Sequence, residues 1–455
     1  MTAATTRLRN LSTAAVATFA AATLTLTGSA VAAERPAAWT GTWSTAVTGA
    51  AEPPQPVTVF EDQTLRQIVH TSIGGRSLRI RLSNEYGTEP LVIGEARVAR
   101  HGGGAQIVAG TDRRVTFGGR SSVTVPAGAP ALSDPVSLPV PALTDLVVSI
   151  HLPDRTVAET VHGSAFQTNY IAAGNVTRSP TLTGATTTTS WHFLAGVSVA
   201  AAPRSGSVVA FGDSITDGAI TTVDANHRWP DFLARRLQAE ASLRDVGVLN
   251  KGIGGNRLLH DGNTLPGTPF SGIGPLFGDS ALSRFDRDVL AQPGARAVIV
   301  LLGINDIGQP TSLSPPSEAV TADDLIAGYR QLIARAHERG LRIFGATLTP
   351  FQDTTIPGYY SEENEAKRAA VNRWIRTSGE YDGVIDFDRA VRDPAQPRRI
   401  LAQYDSGDHL HPNDAGMRAM ADAIPLHLLR ATGDSATSDR TTGDRAAGGE
   451  GVIVR

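Results

Sequence analysis

The chain has 455 residues, more than the roughly 100–200 of one domain, and predicts two folded units with terminal extensions. A net charge of −3 gives no long-range attraction to polyanions, so no nucleic-acid partner is expected, and 41% hydrophobic residues with 46 Gly and 27 Pro exclude wholesale disorder. The absence of cysteine excludes disulfides, thiolate metal centres and thiol catalysis together, so any nucleophile is oxygen or nitrogen. Lys251 and Lys367 are the only lysines, and nothing around either favours Schiff-base chemistry.

Residues 1–33 read as a secretory signal peptide. Arg7 and Arg9 precede the apolar run Leu11–Leu26, and the small residues Ser29 to Ala33 place cleavage before Glu34. No later stretch is apolar enough to span a bilayer, so a secreted, extracellular protein without a membrane span is expected. Residues 34–203 alternate with period two in short runs such as Leu78–Leu82 and Leu146–Ile150, broken by Gly, Pro and Asn. This predicts an antiparallel β-sandwich domain.

From 204 to 430 the period changes. Apolar runs at Ser207–Phe211, Val246–Leu249, Ala297–Leu302, Ile343–Leu348 and Val384–Phe387 alternate with helix-period segments, which predicts an α/β fold with a doubly wound parallel sheet. Helices are expected from Trp229, with Pro230 in the first turn, over Ala281–Leu290 behind a Ser280 cap, and after a Thr321–Asp324 capping box. Residues 431–455 are rich in Gly, Ser, Thr, Asp and Arg and read as a disordered tail.

Ligands of such sheets bind beyond the carboxyl ends of the strands, and the chemistry-bearing residues fall there. The first strand runs directly into Gly212-Asp213-Ser214, which offers a serine nucleophile. The same tripeptide at Gly278-Asp279-Ser280 and Gly433-Asp434-Ser435 follows no strand, so context selects Ser214. A base is offered after the last strand by Asp408-His409-Leu410-His411-Pro412. Asp408 could hold Nδ1 of His411 while Nε2 faces the serine. His409 competes as base, but adjacent side chains of an extended segment diverge, so the two rings can share the site only across a bend. Oxyanion donors are offered by Gly252-Ile253-Gly254-Gly255-Asn256 and by Gly303-Ile304-Asn305-Asp306.

These four blocks, in this order, resemble the SGNH hydrolases, also called GDSL esterases or lipases, over about residues 205–430. The resemblance implies a flavodoxin-like sheet and a serine hydrolase of carboxylic esters without metal or cofactor. It implies Ser214 as nucleophile, His411 as base and Asp408 as its partner. The oxyanion would be held by the Ser214 amide, Gly255 and the side chain of Asn305, with Gly254 one residue from the second-block position. A β-sandwich before the catalytic domain is similar to secreted bacterial esterases. Expected substrates are acetylated polysaccharide or short acyl and aryl esters, with loops Ile220–His227, Leu259–Gly278 and Pro350–Ser361 lining the pocket.

Two other classes compete. Asp405, Asp408, His409 and His411 lie within seven residues and could bind a divalent metal in a metallohydrolase. Trp39, Trp43, Tyr86, Tyr170 and Trp191 could stack on sugar rings in a non-enzymatic wall protein, although aromatic residues of a sandwich are mostly core.

Overall fold

Five apolar segments pair in parallel: β1 (Gly206–Gly212), β2 (Val246–Gly252), β3 (Ala295–Leu301), β4 (Arg342–Ala346) and β5 (Gly383–Ile385), in the order β2-β1-β3-β4-β5. The computed structural model in which they pair describes residues 39–430 apart from Pro269. The signal peptide and the tail read from the sequence lie outside the described residues. Burial of β1 along its whole length explains why it reads as a continuous apolar run rather than an alternating one.

The helices are α1 (Ser214–Asp217), α2 (Trp229–Ala239), α3 (Ala281–Phe285), α4 (Ile304–Gly308), α5 (Ala322–Glu338), α6 (Glu362–Thr377), α7 (Phe387–Val391) and α8 (Asp414–Asp422). The Thr321–Asp324 capping box starts α5, which turns Leu325, Tyr329 and Leu332 into the core. Ser280 caps α3, but only Ala281–Phe285 is α-helical, and Asp286–Leu290 continues as a π-helical turn. The last strand stops at Ile385 rather than Phe387. Asp386 accepts the Arg389 amide at 3.1 Å and so caps α7.

Residues 39–200 form several antiparallel sheets. The larger two have four strands (Trp39–Ser44, Leu78–Ser83, Pro130–Leu132 and Leu194–Ala200) and six (Gln63–His70, Glu95–Arg100, Arg113–Val115, Asp145–Leu152, Asn169–Ala173 and Thr186–Thr188). Leu78, Ile80 and Leu82 of one and Leu146, Val148 and Ile150 of the other belong to a single apolar core, as the period-two alternation requires.

This β-rich half packs on the exposed side of β2. Val248 N–H donates to Ser72 Oγ at 2.9 Å, and Lys251 Nζ donates to the Thr45 carbonyl at 2.6 Å. An edge strand that would otherwise present unpaired backbone groups is thereby covered.

Candidate active site

The strand order reverses at β1, with β2 on one side and β3 on the other, which opens a crevice at the carboxyl end. The register sets Gly212 level with Gly252 and Leu301. The loops carrying Ser214, Gly254-Gly255 and Gly303–Asn305 therefore leave the sheet side by side. Gly212 is required by crowding: a Cβ there would lie 2.1 Å from Thr216 Oγ1 and 2.8 Å from the Leu301 carbonyl. The helix that follows is a single turn, capped by Asp213 Oδ1 on the Ile215 amide at 3.0 Å and ended by Gly218 at φ 99°.

Ser214 Oγ lies 2.8 Å from His411 Nε2, and His411 Nδ1 lies 2.5 Å from Asp408 Oδ2. A carboxylate only accepts, so Nδ1 carries the hydrogen and Nε2 presents its lone pair to the serine hydroxyl. Asp408 Oδ1 is held by Ser406 Oγ and by the amides of Leu410 and His411, at 2.9, 2.9 and 2.8 Å. Burial opposes ionisation of Asp408, but the His411 ring and these amides outweigh it and hold the carboxyl well below its usual range. The bend that would bring both histidines to the site instead separates them. His409 takes a left-handed φ of 59° and pairs its Nδ1 with Asp405. The acidic and histidine cluster is thus split into two dyads, and among the described residues no three such side chains converge on a metal position.

Of the two candidate glycines, Gly254 has its N–H engaged by Asp217 Oδ2 at 3.2 Å. Gly255 N–H has no acceptor among the described residues, while its carbonyl is fixed by Gln309 Nε2 at 2.7 Å. Gly255 sits at φ 76°, and a Cβ would strike the Phe277 ring at 2.3 Å, so no other residue fits. The Asn305 amide is oriented by the Tyr359 hydroxyl, which donates to Oδ1 at 2.8 Å. Its Nδ2 donates to the Asn256 carbonyl at 3.0 Å, and its second hydrogen remains without a protein acceptor among the described residues. The Ser214 amide, at the first helical position, has no intrahelical acceptor. Serine, imidazole, carboxylate and three unengaged donors are the equipment of acyl transfer.

Residues 210–419 match the model of the GDSL-like lipase/acylhydrolase family. This stretch belongs to that family. The chain is a carboxylic ester hydrolase with a β-rich half before its GDSL-like domain. Solved structures similar to it include a GDSL-like lipase from Bacteroides thetaiotaomicron VPI-5482, 17% identical, covering 49% of this chain and 87% of that one at a TM-score of 0.35. The aryl esterase of M. smegmatis is 17% identical, covering 48% and 96% at 0.35, and the acetyl xylan esterase AlAXEase is 19% identical, covering 48% and 96% at 0.34. No curated protein matches the chain.

Several residues that shape the GDSL-like site carry no local signal in the sequence. Arg284, fully buried, donates to the Gly212 and Lys251 carbonyls at 2.9 Å each and to Asn256 Oδ1, tying the ends of β1 and β2 to the Gly254–Asn256 loop. Asp306 accepts the Leu258 and Leu259 amides at 2.7 and 2.9 Å, and burial nevertheless pushes its carboxyl up to about 6. Of the loops expected at the pocket, 259–278 supplies Phe277 and 350–361 supplies Tyr359. The 220–227 loop spans the two halves: Asp224 accepts from Thr168 and Gln167 of the β-rich half, while Thr222 donates to Asp414, three residues after His411, and His227 Nδ1 lies 2.7 Å from the same carboxylate. Among the aromatic candidates for sugar stacking, Trp43 and Trp191 are buried edge to face at 5.0 Å, Trp39 lies under Arg79, and Tyr86 donates to Asp279 at 2.6 Å. Tyr170 is half-buried. No helix among the described residues is long and apolar enough to cross a membrane.

Asp213 has a measurable signature. Its Oδ2 is buried without a partner, and burial pushes the carboxyl up to about 7 against the pull of the Ile215 amide. The unfolded chain ionises it near the ordinary value of about 3.9. The native state therefore binds this proton more tightly, and the associated stability is complete below about pH 4 and lost as pH rises through about 7. Three units of difference correspond to a loss on the order of 4 kcal/mol. Asp213→Asn keeps an oxygen for the Ile215 amide and has no charge to bury. Urea midpoints at pH 5 and pH 8 should fall for the wild type, while the variant lacks that component of the fall.

Proposed function

We propose that this hydrolase cleaves carboxylic esters of short acyl groups through a Ser214–His411–Asp408 triad and an acyl-enzyme, acting after export. The observation that carries the reading is the 2.8 Å contact between Ser214 Oγ and His411 Nε2, with Asp408 fixing the opposite ring nitrogen. Ser214 Oγ attacks the ester carbonyl carbon as His411 takes its proton. The carbonyl oxygen, now negative, is held by the Ser214 and Gly255 amides and by Asn305 Nδ2. Collapse breaks the bond to the alcohol oxygen, which receives the proton from His411. A water then gives its proton to His411 and attacks the acyl carbon, and the proton returns to Ser214 as the acid leaves. Asp408 stays ionised throughout and stabilises the transient imidazolium.

The short acyl group follows the resemblance of the sequence blocks to esterases of short acyl and aryl esters. The cavity of about 220 Å³ on the Gly254 side of the oxyanion loop is lined by Ile273, Leu276, Phe277, His162 and Asp217 and by none of Ser214, Gly255, Asn305 or His411, so it carries no acyl assignment. The reading of Leu11–Leu26 as the core of a leader supports export, and an acetylated polysaccharide is then one accessible source of such esters. Two measurements test the proposal. An organophosphonate should form a stoichiometric adduct on Ser214, located by peptide mass spectrometry. Across para-nitrophenyl esters, kcat/KM should peak at about two to four acyl carbons and fall by about tenfold or more by ten, since a methylene that the site cannot admit costs about 1–3 kcal/mol. A rate that climbs steadily to ten carbons would refute the short-acyl assignment.

A further inference from the structure

The GDSL-like domain is joined to the β-rich half by a buried polar contact that the triad does not use. His162, from the strand Thr160–His162, places its Nε2 2.9 Å from Asp217 Oδ1, and the two side chains are only 3% and 4% exposed. Its Nδ1 lies 2.8 Å from the Ala46 carbonyl. A carbonyl only accepts, so Nδ1 carries a hydrogen, and Nε2 faces Asp217 Oδ1. The other carboxylate oxygen of Asp217 accepts the Gly254 amide at 3.2 Å. Asp217 stands one helical turn beyond Ser214, and Gly254 immediately precedes Gly255, the glycine whose N–H is left unengaged.

We infer that His162 is a positioning residue for ester hydrolysis, supplied by the β-rich half, which holds the oxyanion loop in place through Asp217 and the Gly254 amide. A continuous chain runs from the Ala46 carbonyl through the His162 ring and the Asp217 carboxylate to the Ile253–Gly254 peptide, the one immediately before the peptide whose Gly255 N–H is the oxyanion donor. Neither His162 nor Asp217 touches the reacting atoms. Their work is to fix a donor whose displacement by about 1 Å costs on the order of 10²-fold in rate. The β-rich half is on this account part of the catalytic apparatus, and the inference rests on the serine-hydrolase reading above.

The test uses the full chain and para-nitrophenyl acetate. His162→Phe keeps a ring of similar size without hydrogen bonds. It should lower kcat by about 10- to 100-fold while KM stays within about threefold, because the lost interaction is expressed in the transition state. Asp217→Ala should match it, and the double variant should be no worse than either single one. Asp217→Asn should stay within about threefold of wild type, since its amide oxygen can take the place of Oδ2 in accepting the Gly254 amide while its Nδ2 donates to His162 Nε2. A merely structural contact would leave kcat of the folded variants unchanged, and that result overturns the inference. If His162→Phe does not fold, the Asp217→Ala and Asp217→Asn pair decides, and equal kcat values for the two overturn it. Ser214→Ala separates the two levels. Full activity in that variant sinks the serine-hydrolase reading itself, whereas an inactive Ser214→Ala beside a fully active His162→Phe sinks only the role of His162.

Discussion

Ser214→Ala should lower kcat on a para-nitrophenyl ester by roughly 10⁴- to 10⁶-fold with little change in KM. The hydroxyl makes one side-chain contact, the 2.8 Å hydrogen bond to His411, and α1 is capped by Asp213 and not by Ser214, so the fold keeps its supports when the oxygen is removed. What remains is an imidazole base and the oxyanion donors, which can at most assist direct attack by water. Residual activity of about 10³–10⁴ over the uncatalysed rate is therefore consistent with loss of the nucleophile. His411→Ala should fall into the same range, and the Ser214→Ala/His411→Ala double variant should lose no more than either alone, because the two groups act as one unit. Active-site titration with an organophosphonate checks that residual turnover is not contaminating wild type. Activity within tenfold of wild type in a titrated sample of Ser214→Ala would remove the foundation of the mechanism.

Ser214 and His411 are separated by 197 positions, yet their pairing was legible because Ser214 lies on the loop leaving β1 and His411 on the segment between α7 and α8 that follows the last strand of the same parallel sheet. Such a fold brings the carboxyl ends of its strands to one rim whatever the helices between them do. The same logic separated Ser214 from Ser280, which has strand context on neither side and serves as the cap of α3. The sheet itself was readable from burial on both faces, and the β-rich half from alternation. The errors fall where a local hydrogen bond ends an element against its apolar pattern, as Asp386 does before Phe387 and as the π turn does after Phe285.

The choice between Gly254 and Gly255 was not legible, because it depends on which N–H an aspartate from another loop occupies. His162 was not legible for the same reason. Nothing in its neighbourhood of short strands marks it, and its partner Asp217 reads as an ordinary residue of the first helical turn. Arg284 resembles any arginine of an amphipathic helix until its four-way contact with two strand ends, Asn256 and Asp288 is seen. Contacts of this kind follow from how the loops and the two halves pack, and no period in the chain encodes them.

Asn305→Ala should lower kcat by about 10²- to 10³-fold, the usual cost of one oxyanion donor, or about 2.7–4 kcal/mol of transition-state stabilisation. The variant also strands the Tyr359 hydroxyl and the Asn256 carbonyl, both partners of the lost amide, and each unsatisfied buried group costs about 1–3 kcal/mol of stability. Kinetics must therefore be read below the lowered Tm. Two further variants separate the catalytic loss from the structural one. Tyr359→Phe removes the hydroxyl that orients the amide and keeps the donor, so it should cost about tenfold or less in kcat. Asn305→Asp keeps the shape and can still accept from Tyr359, but it turns an oxygen toward the Asn256 carbonyl and the developing oxyanion. Like charges there raise the barrier that the amide lowers, so Asn305→Asp should be at least as slow as Asn305→Ala. If Asn305→Asp instead keeps near-wild-type kcat, the amide is not a donor to the transition state and the oxyanion is held by the Ser214 and Gly255 amides alone.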